Sequence, residues 1–380
     1  MKFLLIYVPN LRFSYKGDWS KRKLNEICQF FKGNGLSKSD LSNEGFPCIL
    51  YGELYTTYKN EVISDIISKT NTTLSNPFLS RNNDLIIPGS GEDPIDIAVA
   101  RAICQNDIIL GGDLNILRPK SNVSAAFLSY QLNGVRRYDI AKKAQGKSIV
   151  HLHNSDLKEV LVSIPTYNEQ LHIVKLLTKV DEMIETQIKI IDDYNSLKMG
   201  IYNWMFKENC ADYKLKQLAY IVKGDQINND QLLSNGSYYM MNGGTSPSGY
   251  LDSYNVSENT ISISEGGNSC GYVQFNSSPF WSGGHCYTIQ NVNSALIENK
   301  YLYHYLKHKE KEIMNLRIGT GLPNIQKKDL ENFTIFVPSL LIQRKNLALF
   351  EMLDEKICIL NEELERLKMQ KKYLLRNMFI

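Results

Sequence analysis

Histidine pairs, fragments of phosphate-binding loops and one dense basic run are the residues of this chain best placed to do chemistry. His304 and His308 stand four apart in NKYLYHYLKHKEKEIMNL, the spacing that sets two imidazoles on one helix face, yet no acid or cysteine stands where a third metal ligand is needed. A solvated helix face is the expectation there. His151 and His153 flank Leu152 and would point the same way from a strand. Gly146-Lys147-Ser148 resembles the end of a phosphate loop, but Ala141 occupies the place of its first glycine, and GSGEDP at 89 to 94 lacks the third glycine of a dinucleotide fingerprint. There is no NPPY-type tetrapeptide of amino-methylating enzymes and no recognisable Ser/His/Asp or Cys/His grouping. The chain is therefore expected to be non-catalytic, with no cofactor and no metal of its own.

What remains is contact chemistry suited to double-stranded DNA. In GVRRYDIAKKAQGKS, the side chains of Arg136, Arg137, Lys142, Lys143 and Lys147 face a single acid, Asp139, the local positive density that phosphates require. The second half offers Lys307, Lys309, Lys311 and Arg317, diluted by Glu310 and Glu312. Loops rich in small polar groups supply donors and acceptors for base edges: Tyr55, Thr56, Thr57, Tyr58 and Lys59; Asn242, Gly243, Gly244, Thr245 and Ser246; Glu265 and Asn268. Arg81, His151, Thr320 and Asn324 complete the expected DNA-contacting set. Net charge is only +3, so binding has to come from such local clusters.

The elements that must position these residues come in two copies. Pro165 and Pro338 stand 173 positions apart, and the same offset pairs Gly146 with Gly319, Gln170 with Gln343, Asp181 with Asp354, Lys198 with Lys371 and Phe206 with Phe379. An earlier anchor aligns WSKRKLNEICQFFKG, ending at Gly33, with YKLKQLAYIVKG, ending at Gly224. Between the anchors the halves diverge, YGELYTTY standing where the second half has MMNGGTSPSGY.

Residues 167 to 206 contain no proline and one glycine, with Leu176, Val180, Ile184, Ile191 and Ile201 at helical spacing. In the second copy Leu353, Ile357, Leu360, Leu364, Leu367, Lys371 and Leu374 step by four and three, a coiled-coil seam. The expectation is α+β: two globular mixed α/β domains separated by two long helices that form an antiparallel coiled coil, related by a pseudo-two-fold internal repeat. The divisions expected are 1–165 and 209–338 for the globular domains, and 166–208 and 339–380 for the helical regions. The apolar helix positions named above are expected to form subunit interfaces. Short β-rich runs (NDLIIPGS, DIILGGDLNIL, NTISISEGG, CYTIQNV) sit between turn residues in the globular parts.

Composition sets the remaining limits. At 43 % hydrophobic and 22 % charged the chain is ordinary globular protein. Seven scattered cysteines without a C-x-x-C pair read as reduced thiols of a cytoplasmic protein. The opening MKFLLIYVPNLRF breaks at Pro9, Asn10 and Arg12, too soon for a leader or a membrane span.

Together, VPNLRFSYKGDWSKRKLNEI, IPTYNEQLHIVKLLTKVDEMIETQIKIIDDYNSLKMGIYNWMF and VPSLLIQRKNLALFEMLDEKICILNEELERLKMQKKYLLRNMF resemble the specificity subunits of type I restriction-modification systems over essentially the whole chain. Arg344-Lys345 after Gln343 departs from the first helical region. The resemblance implies that each globular domain reads one half of a split DNA sequence while the helices set the spacing and dock methyltransferase subunits. It also implies that catalysis, with S-adenosylmethionine, ATP and magnesium, lies in partner methyltransferase and restriction subunits. The rival reading is a coiled-coil protein adaptor without DNA specificity.

Overall fold

The computed structural model describes residues 8–206, 211–319, 321 and 323–380; Thr320, one of the expected DNA contacts, lies outside them. The chain divides into two compact units, residues 1–188 with 362–380, and residues 189–361. Each takes part of both long helices, Tyr167–Met205 and Leu340–Asn377.

The first unit is organised by a five-stranded sheet in the order Cys28–Lys32, Leu114–Pro119, Asp84–Pro88, Arg101–Ile103, Val62–Ile63. The run DLIIP is buried along its whole length, which is why it reads as a continuous apolar run rather than an alternating one. Against the sheet packs the helix Ala125–Asn133, with Phe127, Leu128 and Tyr130 fully buried. The second unit repeats four of these strands in the same order: Tyr220–Lys223, Cys286–Gln290, Thr260–Ser264, Val273–Asn276. Register repeats as well. Lys32 lies opposite Asn115, which lies opposite Ile87; Lys223 lies opposite Tyr287, which lies opposite Ile263. Each unit also carries a smaller sheet built on one parallel pair, Ile109–Leu110 on Phe46–Ile49 and Trp281–Ser282 on Tyr238–Met241.

The duplicated glutamine has the same task in both units. Gln170 is fully buried; its Oε1 accepts from Ser124 N–H at 2.9 Å, and its Nε2 donates to the carbonyls of Pro165 (3.1 Å) and Asn122 (3.3 Å). Gln343 accepts from Glu298 N–H at 2.8 Å and donates to Pro338 (2.8 Å) and Leu296 (2.9 Å). Ser124 and Glu298 each open a helix, so one side chain ties a helix start to the strand end that precedes the long helix. Gly146 and Gly319 both take positive φ, 137° and 96°, backbone that favours glycine.

Within each unit the long helices run antiparallel. In the first, Asp181 meets Lys371 and Gln187 meets Glu363; in the second, Lys198 meets Asp354 and Tyr202 meets Phe350. As one number rises the other falls. The apolar positions expected at subunit interfaces pack, in part or wholly, within the chain. Val180, Ile191, Leu353, Leu360, Leu364 and Leu374 are buried within the chain, while Leu176, Ile184, Ile201, Ile357 and Leu367 are half-buried. The six buried ones are covered by the chain itself, while outward positions such as Met183, Ile188, Leu197, Met352, Ile359 and Met369 are exposed.

Two further expectations are corrected. The helix expected over 299 to 316 is two, Asn299–His308 and Glu310–Met314, and His304 faces inward rather than to solvent. It is buried, its Nδ1 2.9 Å from the Tyr202 hydroxyl and 3.8 Å from Asp354, because that helix turns its aromatic stripe of Tyr301, Tyr305 and His304 onto the core. Among the described residues no helix is long and apolar enough to cross a membrane.

Candidate nucleic-acid interface

The same end of the main sheet carries polar side chains in both units, but different ones. In the second unit Lys223 closes one strand, Glu265 follows Ser264 at the end of the next, and His285 precedes Cys286 at the start of the strand between them. The backbone of Glu265 is fixed on both sides, N–H to the His285 carbonyl and C=O from Ile325 N–H, each at 2.9 Å. Its side chain is only 9 % exposed. Oε1 accepts from Lys223 Nζ at 2.6 Å and from the Tyr287 hydroxyl at 3.1 Å. Among the described residues Oε2 accepts no hydrogen bond, and His285 Nδ1 lies 3.5 Å from it. Burial, then the Glu265 charge, pushes the Tyr287 phenol up, so it stays a donor. Lys223, Glu265 and His285 line a pocket of about 410 Å³ with Asn242, Gly243 and Asn324.

In the first unit Gly89 takes the place of Glu265. Its N–H donates to Asp113 O (2.6 Å) and its carbonyl accepts from Leu152 N–H (2.9 Å), the same two links as in the other unit. Asn115 replaces Tyr287 and donates to Leu152 O at 2.9 Å, as Tyr287 donates to Ile325 O at 3.2 Å. The lysine is kept as Lys32, while His285 becomes Asp113, whose Oδ2 accepts from Ser90 Oγ at 3.2 Å. A Cβ on Gly89 would lie 2.8 Å from Asp113 O and 3.1 Å from Lys32 Nζ, so this site has no room for a second acidic side chain without a shift. A cavity of about 560 Å³ opens beside Asp113, lined also by Lys38, Tyr51, Glu53, Thr56 and Thr57.

The residues expected from sequence fall into three groups. Glu265, Asn242, Gly243 and Asn324 meet in one pocket, with Gly244 half-buried and Thr245, Ser246 and Asn268 exposed nearby in sequence. His151, at the place of Asn324, is exposed with its ring stacked on His153 at 6.1 Å. Thr57, Lys59, Arg81, Lys142, Lys147 and Arg317 are exposed, and Lys143 is half-buried. Arg81 lies before Asp84, at the other end of the strand from Gly89.

The third group is committed to the fold. Tyr58 is buried and its hydroxyl accepts from Ile67 N–H at 3.1 Å, which removes it from the contact set. YTTYK is not a loop throughout: Glu53–Thr56 forms a helical turn, half-burying Tyr55, and Thr56 Oγ1 donates to Gly52 O. Arg136 spends its guanidinium on Asp139 and the Ile380 carbonyl, and Arg137 donates to Ile95 O. Lys307 and Lys309 pair with Glu310 and Glu312. Lys32, Asp113, Lys223 and His285 escaped the sequence reading, although the paired Lys-Gly anchors at 32–33 and 223–224 pointed at two of them. Among the described residues no three His, Cys, Asp or Glu are grouped to hold a metal.

The family model for the type I restriction modification DNA specificity domain matches twice, at residues 16–192 and 207–369. A Mycoplasma genitalium protein provisionally named a type I specificity subunit is 22 % identical over 388 residues, 98 % of this chain and 96 % of that one. The crystal structure of a type I restriction-modification S subunit from M. genitalium aligns with TM-score 0.68 at 21 % identity, over 98 % of this chain and 99 % of that one. A structure described as underlying complex assembly and conformational transition of the type I system aligns with TM-score 0.60 at 16 % identity, over 96 % and 98 %.

Proposed function

The chain belongs to the type I restriction-modification DNA specificity family, and we propose on that premise that each unit reads one half of a bipartite, asymmetric duplex target without catalysing any step itself. One observation carries this reading: two sheets with the same strand order and register present different polar groups at the same end, Lys32 with Asp113 in one and Lys223 with Glu265 and His285 in the other. A shared frame with divergent donors and acceptors is what two different half-sites call for, since base identity is read by side-chain hydrogen bonds. The long helices set the gap between half-sites, and their exposed apolar positions dock methyltransferase subunits. Those partners bring S-adenosylmethionine; a restriction subunit brings ATP and magnesium. The assembly works in the cytoplasm, where its DNA is.

The test is co-expression with the neighbouring methyltransferase, followed by a genome-wide map of methylated adenines. The expected result is one split motif with a fixed gap, in which exchange of residues 16 to 165 for those of a relative alters one half alone. A missing motif, or one indifferent to the exchange, returns the chain to the protein-adaptor reading.

A further inference from the structure

We propose that the Glu265 pocket is the position at which the second unit selects a base carrying an exocyclic amino group, cytosine N4 or adenine N6. This rests on the DNA-reading function above and names the chemistry of one contact within it. The carboxylate is more than nine-tenths buried, yet among the described residues Oε2 accepts no hydrogen bond while Glu265 lines an open pocket. An unmet buried acceptor costs about 1–3 kcal/mol, and more when charged, so a donor from outside is the group that completes it.

An ionised carboxylate is acceptor-only. It attracts the amines that cytosine and adenine show in the major groove and repels the keto oxygens of guanine and thymine. Lys223, at 2.6 Å from Oε1, offsets the charge that would otherwise repel the phosphates on either side. His285 Nδ1 lies 3.5 Å from Oε2, and its ring is exposed enough to turn aside. The approach is open: among the described residues a Cβ on Gly267 would meet nothing within 4 Å, and Gly243 takes a positive φ of +79°. A phosphate would meet the carboxylate and be repelled, which excludes the backbone as the occupant. Gly89 at the equivalent place in the first unit carries no side chain, and the carboxylate at that rim is Asp113, which is exposed and already accepts from Ser90, so the buried, unmet acceptor belongs to the second unit.

The experiment uses the chain assembled with its methyltransferase partner. In the unaltered assembly, duplexes from which the amine is removed one base at a time, with purine for adenine and pyrimidin-2-one for cytosine, should lose about 10-fold or more in affinity at one position of the half read by residues 207 to 369. Whether that base is cytosine or adenine identifies the amine. Glu265→Gln keeps the size and the Tyr287 contact but adds an amide donor, so the methylation motif should become degenerate at that same position, accepting the keto bases. No loss on removing any amine in that half, or an E265Q motif unchanged or relaxed elsewhere, overturns the inference and leaves the DNA-reading function standing. A parent assembly with no motif overturns the function first.

Discussion

The duplicated lysine–aspartate pair shows how one sequence feature acquires two energies. In the first unit Lys371, from the second long helix, lies 2.7 Å from Asp181 and 2.6 Å from Glu61, and Asp181 also accepts from the Tyr130 hydroxyl at 2.7 Å. In the second unit the helices exchange roles: Lys198 comes from the first and pairs with Asp354 of the second, with His304 where the first unit has Tyr130. Glu61 belongs to the divergent segment of the first unit and helps to seal its pair, with both carboxylates under 10 % exposed, whereas Asp354 is 40 % exposed. Burial raises Asp181 above the usual carboxylate range; burial also works to lower Lys371, but Glu61 and Asp181 outweigh it and leave the ammonium raised. The repeat supplies the pair, and the insert decides what it is worth.

Removing the lysine from each unit would show the difference most strongly. Lys371→Met leaves two buried carboxylates uncompensated and should cost about 3–5 kcal/mol, while Lys198→Met, beside a half-exposed aspartate, should cost about 1 kcal/mol or less. Denaturant unfolding of the two variants measures both, and equal losses would show that burial by Glu61 is not the deciding factor. Gln170→Ala and Gln343→Ala make the converse test. Each deletes three matching hydrogen bonds, so each should destabilise by about 2–3 kcal/mol, and unequal effects would mean that the frame has drifted energetically while keeping its geometry.

The last difference between the units is in pH. Burial, against the pull of Asp354, depresses His304 from 6.5 to about 4. The unfolded chain therefore takes up the proton first, and stability present above about 6.5 is lost as the pH falls towards 4, by at most about 1.4 kcal/mol per pH unit. Tyr130 at the equivalent place contributes no such loss to the first unit. Hydrogen exchange between pH 7 and 5 should show the second unit loosening, and His304→Gln should flatten that slope; an unchanged slope would assign it to another group.

Sequence made the periodic and duplicated features plain. An uninterrupted stretch at 167 to 206 became the helix Tyr167–Met205, and the Gln, Asp and Lys repeats became matching bonds. Antiparallel packing followed from the repeat. Side-chain direction was less accessible. Tyr58 and His304 look like surface polar residues in a linear string, but one lies in the core beneath a short helical turn and the other at the foot of a long helix. Lys223 and His285 were overlooked because they meet Glu265 only through neighbouring strands, 42 and 20 residues away in sequence. Periodicity encodes which face is apolar; it does not encode which polar residue ends up at a sheet's rim.

The discontinuity of the first unit has a consequence for synthesis. Phe379 packs on Trp19 and Phe127, and Leu11 N–H donates to Asn377 O at 2.8 Å, so the first core is closed by residues 362–380. These leave the ribosome after every residue of the second unit, which is contiguous from 189 to 361. The half translated first is therefore the half completed last, and until then its apolar surface around Trp19 and Phe127 waits for its own tail.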